Sequence, residues 1–188
     1  MSRVMLVQKS EKGRDFFSRM VREFGEYEII YAADGKEARK ELAKTDIELM
    51  IVVAPLADEF GEALVEHASH NSCCGIIMVA KNDTDERLLI QAERSGAVVA
   101  LIPISKTLFR QEFRIACATH NRMLKMRNEN RSLSQKIEDM GIIDRAKCVL
   151  IQVLHMTEEQ AHKYIEKQAM NMRVPRRQVA EELLKTYE

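Results

Sequence analysis

The chain has 188 residues, 46% of them hydrophobic, which is enough to bury one sizeable core and a smaller appendage and excludes a disordered chain. Lys plus Arg and Asp plus Glu are equal at 29 each, but residues 1–105 hold 13 basic and 18 acidic side chains while residues 106–188 hold 16 and 11, so the neutral total hides a basic C-terminal part suited to a polyanion. No run approaches about 18 consecutive apolar residues, and Met1-Ser2-Arg3 leads straight into a strand-like run, so the sequence reads as a cytoplasmic protein without a membrane span or signal peptide.

The first hundred residues alternate short β-branched runs with helix-period segments. Residues 4–7, 27–32, 49–54, 75–80 and 98–103 read as strands, and residues 12–24, 36–43, 62–69 and 83–95 as helices. Five strands separated by helical crossovers predict a doubly wound α/β domain: a five-stranded parallel sheet with right-handed connections and helices on both faces. Its expected extent is residues 1–120.

From Ile104 to Met140 there is neither Gly nor Pro, and helix formers dominate. Ala116, Met123, Met126, Leu133, Ile137 and Met140, with Asn130 among them, fall close to 3,4 heptad spacing, so the fifth helix is expected to continue into a coiled coil over residues 121–140. Met123, Met126, Asn130, Leu133 and Ile137 form the expected dimer seam. Asn130 takes an a position, where a buried amide pairs with its mate in a parallel dimer and fixes register. The alternative is a solvated amide on a helix packed against its own domain. The flanking charges give no help, since Arg122 would face Arg127.

Residues 141–188 contain three helical patterns, 141–154, 157–170 and 175–187. Thr157 with Gln160 three residues on makes a capping box, and Pro175 suits a helical first turn. A three-helix unit of this size needs help from the long helix.

Cys73, Cys74, Cys117 and Cys148 show no CxxC pair, and adjacent Cys73 and Cys74 would bridge only with strain, so all four read as reduced thiols. His67, His70, Cys73 and Cys74 cluster in sequence, but a polar helix end explains them better than a metal site. No metal or cofactor is expected.

The turn Ala33-Asp34-Gly35-Lys36-Glu37-Ala38 after the second strand and Ser95-Gly96-Ala97 before the fifth resemble the signatures of response-regulator receiver domains, over about residues 3–120. That resemblance implies Mg²⁺-assisted phosphorylation of an aspartate, which needs an acidic pair after the first strand and a carboxylate ending the third. Here the acidic pair falls on Gln8 and Lys9, the phosphoacceptor on Val53, the switch hydroxyl on Val79 and the lysine before the fifth-strand proline on Ile102. Every position of the pocket is apolar, neutral or wrongly charged, so no aspartyl phosphorylation is expected. Asp58 and Glu59 stand near the pocket rim and are expected to face solvent, while Lys9 is a candidate built-in cation.

Ala146-Lys147, Leu150, Thr157-Glu158-Glu159-Gln160-Ala161, Ala169-Met170, Arg173, and Val179-Ala180 with Leu183-Leu184 resemble the spacing of ANTAR domains over about residues 137–187. The resemblance implies RNA binding in transcription antitermination, with a dimer recognising tandem stem-loops in a nascent leader transcript. Small residues at Ala146, Ala161, Ala169 and Ala180 let short helices approach closely, while Leu150, Ile165, Val179 and Leu183 supply the seam.

Basic side chains left outside that core carry the expected chemistry. Arg145, Lys147, Arg173, Arg176 and Arg177 are the RNA-contact candidates, because cations neutralise phosphates and a guanidinium also stacks on a splayed base. Lys163 and Lys167 are set aside, since Glu159 and Glu166 offer them intrahelical partners. The sequence departs from the family at Met140, where an arginine is usual, and at Cys148, where a glycine is usual.

No Gly-rich phosphate loop, nucleophile elbow or metal quartet is present, so the chain does not read as an enzyme. The expectation is a dimeric RNA-binding antiterminator controlled by a regulatory partner protein or by abundance. The alternative is a response-regulator relative acting by DNA binding or protein–protein interaction alone.

Overall fold

The computed structural model describes residues 2–187 and divides into two compact units, Met1–Lys125 and Met126–Glu188. In the first, strands β1 (Ser2–Val7), β2 (Tyr27–Ala32), β3 (Leu49–Val53), β4 (Gly75–Lys81) and β5 (Val98–Ile102) form one parallel sheet in the order β2-β1-β3-β4-β5. They alternate with α1 (Glu11–Arg22), α2 (Gly35–Lys44), α3 (Glu62–Asn71) and α4 (Glu86–Arg94). The expected doubly wound fold is the one observed.

The three inner strands read as unbroken apolar runs because both of their faces are covered. Val4, Leu6, Leu49, Ile51, Ile77 and Val79 point into a cluster with Phe17, Met20 and Val21 of α1 and Phe109, Phe113 and Ala116 of α5. Met5, Val7, Met50, Val52, Ile76 and Met78 point the other way, onto Ala38 of α2, Leu64, Val65 and Ala68 of α3 and Ala92 of α4. A one-residue slip of any inner strand would exchange the two sets, so packing fixes the register, with Val53 beside Val79 and Val79 beside Ala100.

Local signals place the connections. Asp34 caps α2 by accepting from the Glu37 amide at 2.7 Å, while the Glu37 carboxylate accepts from the Ala33 amide at 2.7 Å, so the turn motif closes on itself. Gly96 has φ +89°, a left-handed conformation that explains the glycine before β5. α4 begins at Glu86, three residues later than expected, because Asp85 is its cap and accepts from the Arg87 amide.

The helix α5 runs from Lys106 to Leu154, 49 residues. The expected coiled coil over residues 121–140 and the helical pattern over 141–154 are one continuous helix through Gly141, since one helical glycine costs only about 1 kcal/mol. The second unit contains the rest of α5 with α6 (Glu158–Met172) and α7 (Arg176–Tyr187). No described helix is long and apolar enough to cross a membrane.

Candidate nucleic-acid interface

The second unit is packed on small residues. Ala146, Ala161 and Ala180 are fully buried and Ala169 nearly so, with Leu150, Ile165 and Val179 filling the space between them. Tyr164 and Leu183 pack against the edge of this core. The alanines let the three helices close on each other, which leaves the longer polar side chains outside.

Thr157 and Gln160 form the capping box at the start of α6, with bonds of 3.3 and 2.9 Å. At the other end Arg173 adopts a left-handed conformation, φ 56° and ψ 40°. Its amide donates to the Met170 carbonyl at 3.3 Å and the next amide, on Val174, donates to Ala169 at 3.0 Å, which is the Schellman closure normally built on glycine. An arginine there costs about 1 kcal/mol of backbone energy. The chain then turns at Pro175, whose carbonyl accepts from Gln178 and Val179, and α7 begins one residue later, at Arg176.

The five basic candidates differ in how far they are committed. Arg173 is exposed, and its side chain has no hydrogen bond or ion pair among the described residues. Arg176 donates to Glu166 at 2.8 Å and is half exposed. These two line one surface groove of about 330 Å³ with Glu166, Ala169, Met170 and Val174. Arg177 lines a different groove, with Pro175, Gln178 and Glu181.

Arg177 is engaged by three carboxylates, Glu181 and Asp139 at 2.8 Å each and Glu138 at 3.4 Å, and these hold its guanidinium protonated even more firmly than usual. Lys147 sits between Asp144 at 2.8 Å and Glu158 at 3.3 Å, and its hydrogen bond to Asp144 raises its pKa. Arg145 is exposed on α5. Lys163 pairs with Glu159 at 2.6 Å as expected, whereas Glu166 turns to Arg176 and His162 and leaves Lys167 without an ion pair among the described residues. A neighbour in sequence does not face the same way on a helix, which is why Glu166 does not serve Lys167.

Of the positions that the receiver resemblance assigns to the pocket, Val53, Val79 and Ile102 belong to the core of the first unit. Val53 and Val79 are buried in the α1–α5 cluster and Ile102 packs against it. Gln8 is half-buried, with its side chain against Gly13, and Lys9 is exposed with no ion pair among the described residues. The expectation that Asp58 and Glu59 merely face solvent needs correction. Asp58 accepts from the Gly35 and Lys36 amides at 2.9 and 3.1 Å, which lowers its pKa, and half-buried Glu59 pairs with Arg39 at 2.8 Å. Asp58 anchors the start of α2, where negative charge meets unpaired amides, and Glu59 holds the Arg39 side chain of the same helix.

Of the seam residues, Met126, Leu133 and Ile137 are 53, 55 and 67% exposed, Asn130 is exposed and Met123 half-buried. None of the four cysteines is in a disulfide, and no cluster of metal-binding side chains occurs, among the described residues.

A five-stranded receiver-like sheet with an alanine-packed helical module defines a response-regulator type of protein. The family model for the ANTAR domain matches residues 131–184. The transcriptional regulatory protein PdtaR of Mycobacterium tuberculosis, in strains CDC 1551 / Oshkosh and H37Rv, is 31% identical over 188 residues, covering 98% of this chain and 90% of the relative. Among solved structures, the signal receiver domain of an HD domain-containing protein from Pseudomonas fluorescens Pf-5 aligns with TM-score 0.60 at 19% identity, covering 66% of this chain and 92% of that one. A CheY-like receiver domain protein from Methanospirillum hungatei JF-1 aligns with TM-score 0.58 at 18% identity, covering 65% and 98%. At these identities the structures speak for the fold alone. The chain belongs to the ANTAR transcriptional regulators of the response-regulator class.

Proposed function

We propose that this regulator binds RNA as a dimer and acts in transcription antitermination, with a receiver-like half that is not phosphorylated. The observation that carries the reading is Arg173. It takes a left-handed backbone position that glycine would fill at lower cost, and it projects a guanidinium with no protein partner among the described residues beside Arg176. Such a pair suits a phosphate or a splayed loop base. Arg145 and Lys147 extend the basic surface on α5, and Arg177 acts mainly to hold the module together.

Two copies joined along Met123, Met126, Asn130, Leu133 and Ile137 would present two such surfaces, which fits a target of tandem stem-loops in a nascent leader. The absence of a carboxylate at positions 8, 9 and 53 argues that control comes from a regulatory protein or from abundance. The class fits a cytoplasmic regulator without enzymatic activity or cofactor.

The test is a gel-shift titration against a tandem stem-loop RNA and a matched duplex DNA at several salt concentrations. RNA-selective, salt-dependent binding that weakens about tenfold or more in Arg173→Ala is the expected result. Equal affinity for RNA and DNA, or no binding to either, would overturn it.

A further inference from the structure

A groove of about 550 Å³ opens in the first unit between the end of α1, the start of β2 and the N-terminal third of α5. It is lined by Phe24, Tyr27 and Phe113, with Arg110, Arg114 and Asn121 along the α5 wall. The volume lies in the range of small-molecule sites, and a floor of aromatic rings with a few polar groups is the usual composition of one.

The rings are locked edge to face. Phe24 and Phe113 have centroids 5.2 Å apart at 66°, and Tyr27 and Phe113 are 5.4 Å apart at 70°. Because each ring is braced by the next, the floor is preformed. The Arg110 guanidinium lies 5.0 Å over the Phe24 ring, a cation–π contact that holds it at that floor.

The charge of the groove is unbalanced. Arg110 and Arg114 are four residues apart on one helix, so they share a face and repel each other by a few tenths of a kcal/mol. Neither has an ion pair among the described residues. The only acidic residue in the lining, Glu23, is committed to Lys106. At the opposite side Glu48 acts on Tyr27 and Cys117, and both groups are held neutral by burial with that negative charge nearby. The arginine side of the groove therefore asks for an anion.

The geometry points to a binding site for a small ligand that joins a flat ring to an anionic group, with nucleoside monophosphates as the class that fits. The phosphate pairs with Arg110 and Arg114, as guanidinium forks do with phosphate oxygens, and the base packs against the exposed part of Tyr27, beside the Arg110 guanidinium that covers Phe24, with its edge toward the Asn121 amide. Arg114 and Asn121 are exposed, so the ligand enters without unfolding of the core. Such a site gives a receiver-like domain without its aspartate another way to respond to a small molecule.

Titration of the full chain with AMP, with adenosine and inorganic phosphate as separate probes, is followed through the backbone amide resonances. AMP is expected to bind about tenfold or more tightly than either fragment and to move the signals of Tyr27, Phe113 and Cys117. Arg110→Gln and Arg114→Gln each weaken it about fivefold or more, while Arg94→Gln, outside the groove, leaves it unchanged. Absence of saturable binding, shifts confined to residues 145–177, or wild-type affinity in both groove variants would each overturn the proposal. The readout is confined to the first unit, so its failure leaves the RNA-binding reading standing.

Discussion

The Arg177 guanidinium donates to the Asp139 carboxylate at 2.8 Å and so ties the first turn of α7 to the middle of α5. The same Asp139 oxygen accepts from Gln135 at 2.9 Å, and these two bonds, Gln135 first, hold its carboxyl below the usual carboxylate range. A planar fork that reaches Asp139, Glu138 and Glu181 at once is a geometric device that an ammonium cannot copy.

Arg177→Ala leaves three carboxylates facing one another, so the melting temperature is expected to fall by a few degrees, with Arg177→Lys between the variant and the wild type. The pH dependence follows from the direction of the Asp139 shift. A carboxyl lowered in the folded state contributes stability above its unfolded value of 3.8, and that contribution is lost as pH falls through the lower folded value. The gap between wild type and Arg177→Ala should therefore be constant from about pH 5 to 8 and close below about pH 4, as read by circular dichroism melts.

Val53, which the receiver resemblance puts at the phosphoacceptor position, is buried beside Val79. Incubation with acetyl phosphate and Mg²⁺ is expected to give no phosphorylated protein by intact mass. Val53→Asp does not restore the reaction, because Gln8 and Lys9 still supply no pair of carboxylates for the cation. It places an unpaired carboxyl against an apolar cluster instead, at a cost of about 3 kcal/mol in denaturant unfolding. Phosphorylation of the wild type at any aspartate would refute this.

The sheet could be read from the sequence because its signals are local: each inner strand is a run of β-branched residues covered on both faces. The capping box at Thr157 and the alanine spacing were legible for the same reason. The length of α5 was less so, since Gly141 is a modest penalty that the neighbouring helix formers outweigh, and the helix continues through it. At the candidate interface the residue types were legible but their availability was not. Arg176 and Arg177 meet acids 10 and 38 residues away in sequence, on α6 and α5, and only the packed module brings those groups together. Asp58 was misjudged in the same way, because its partners are amides 22 and 23 residues earlier.

Cys117 is a partly buried residue of α5 in the first unit, where burial, with the Glu48 charge adding to it, pushes its thiol up to about 11. A thiol raised in the folded state favours folding while it stays neutral, so its contribution is complete below its unfolded value of about 9 and is lost as pH rises toward 11. Cys117→Ala should therefore lose less stability than the wild type between pH 9 and 11, measured as paired melts. In the native protein at pH 8, iodoacetamide is expected to label exposed Cys148 at least about tenfold faster than Cys117, since only the thiolate reacts. Equal labelling rates by peptide mass analysis would count against the buried placement.

Leu133 and Ile137 are 55 and 67% exposed on a single chain, so replacing them costs that chain little. In a parallel pair they would be core positions, four residues apart, with Asn130 one turn before Leu133. Leu133→Asp with Ile137→Asp is expected to reduce the light-scattering mass from two chains to one while the circular dichroism spectrum stays unchanged. The same variant should bind a single stem-loop nearly as well as the wild type but lose about a hundredfold in affinity for a tandem one, because the second contact is no longer intramolecular. Asn130→Leu works in the opposite direction: it tightens the pair by removing a buried amide and gives up the register that the amide fixes. If the aspartate double variant remains a dimer, the seam is not the interface and the two RNA surfaces must be joined elsewhere.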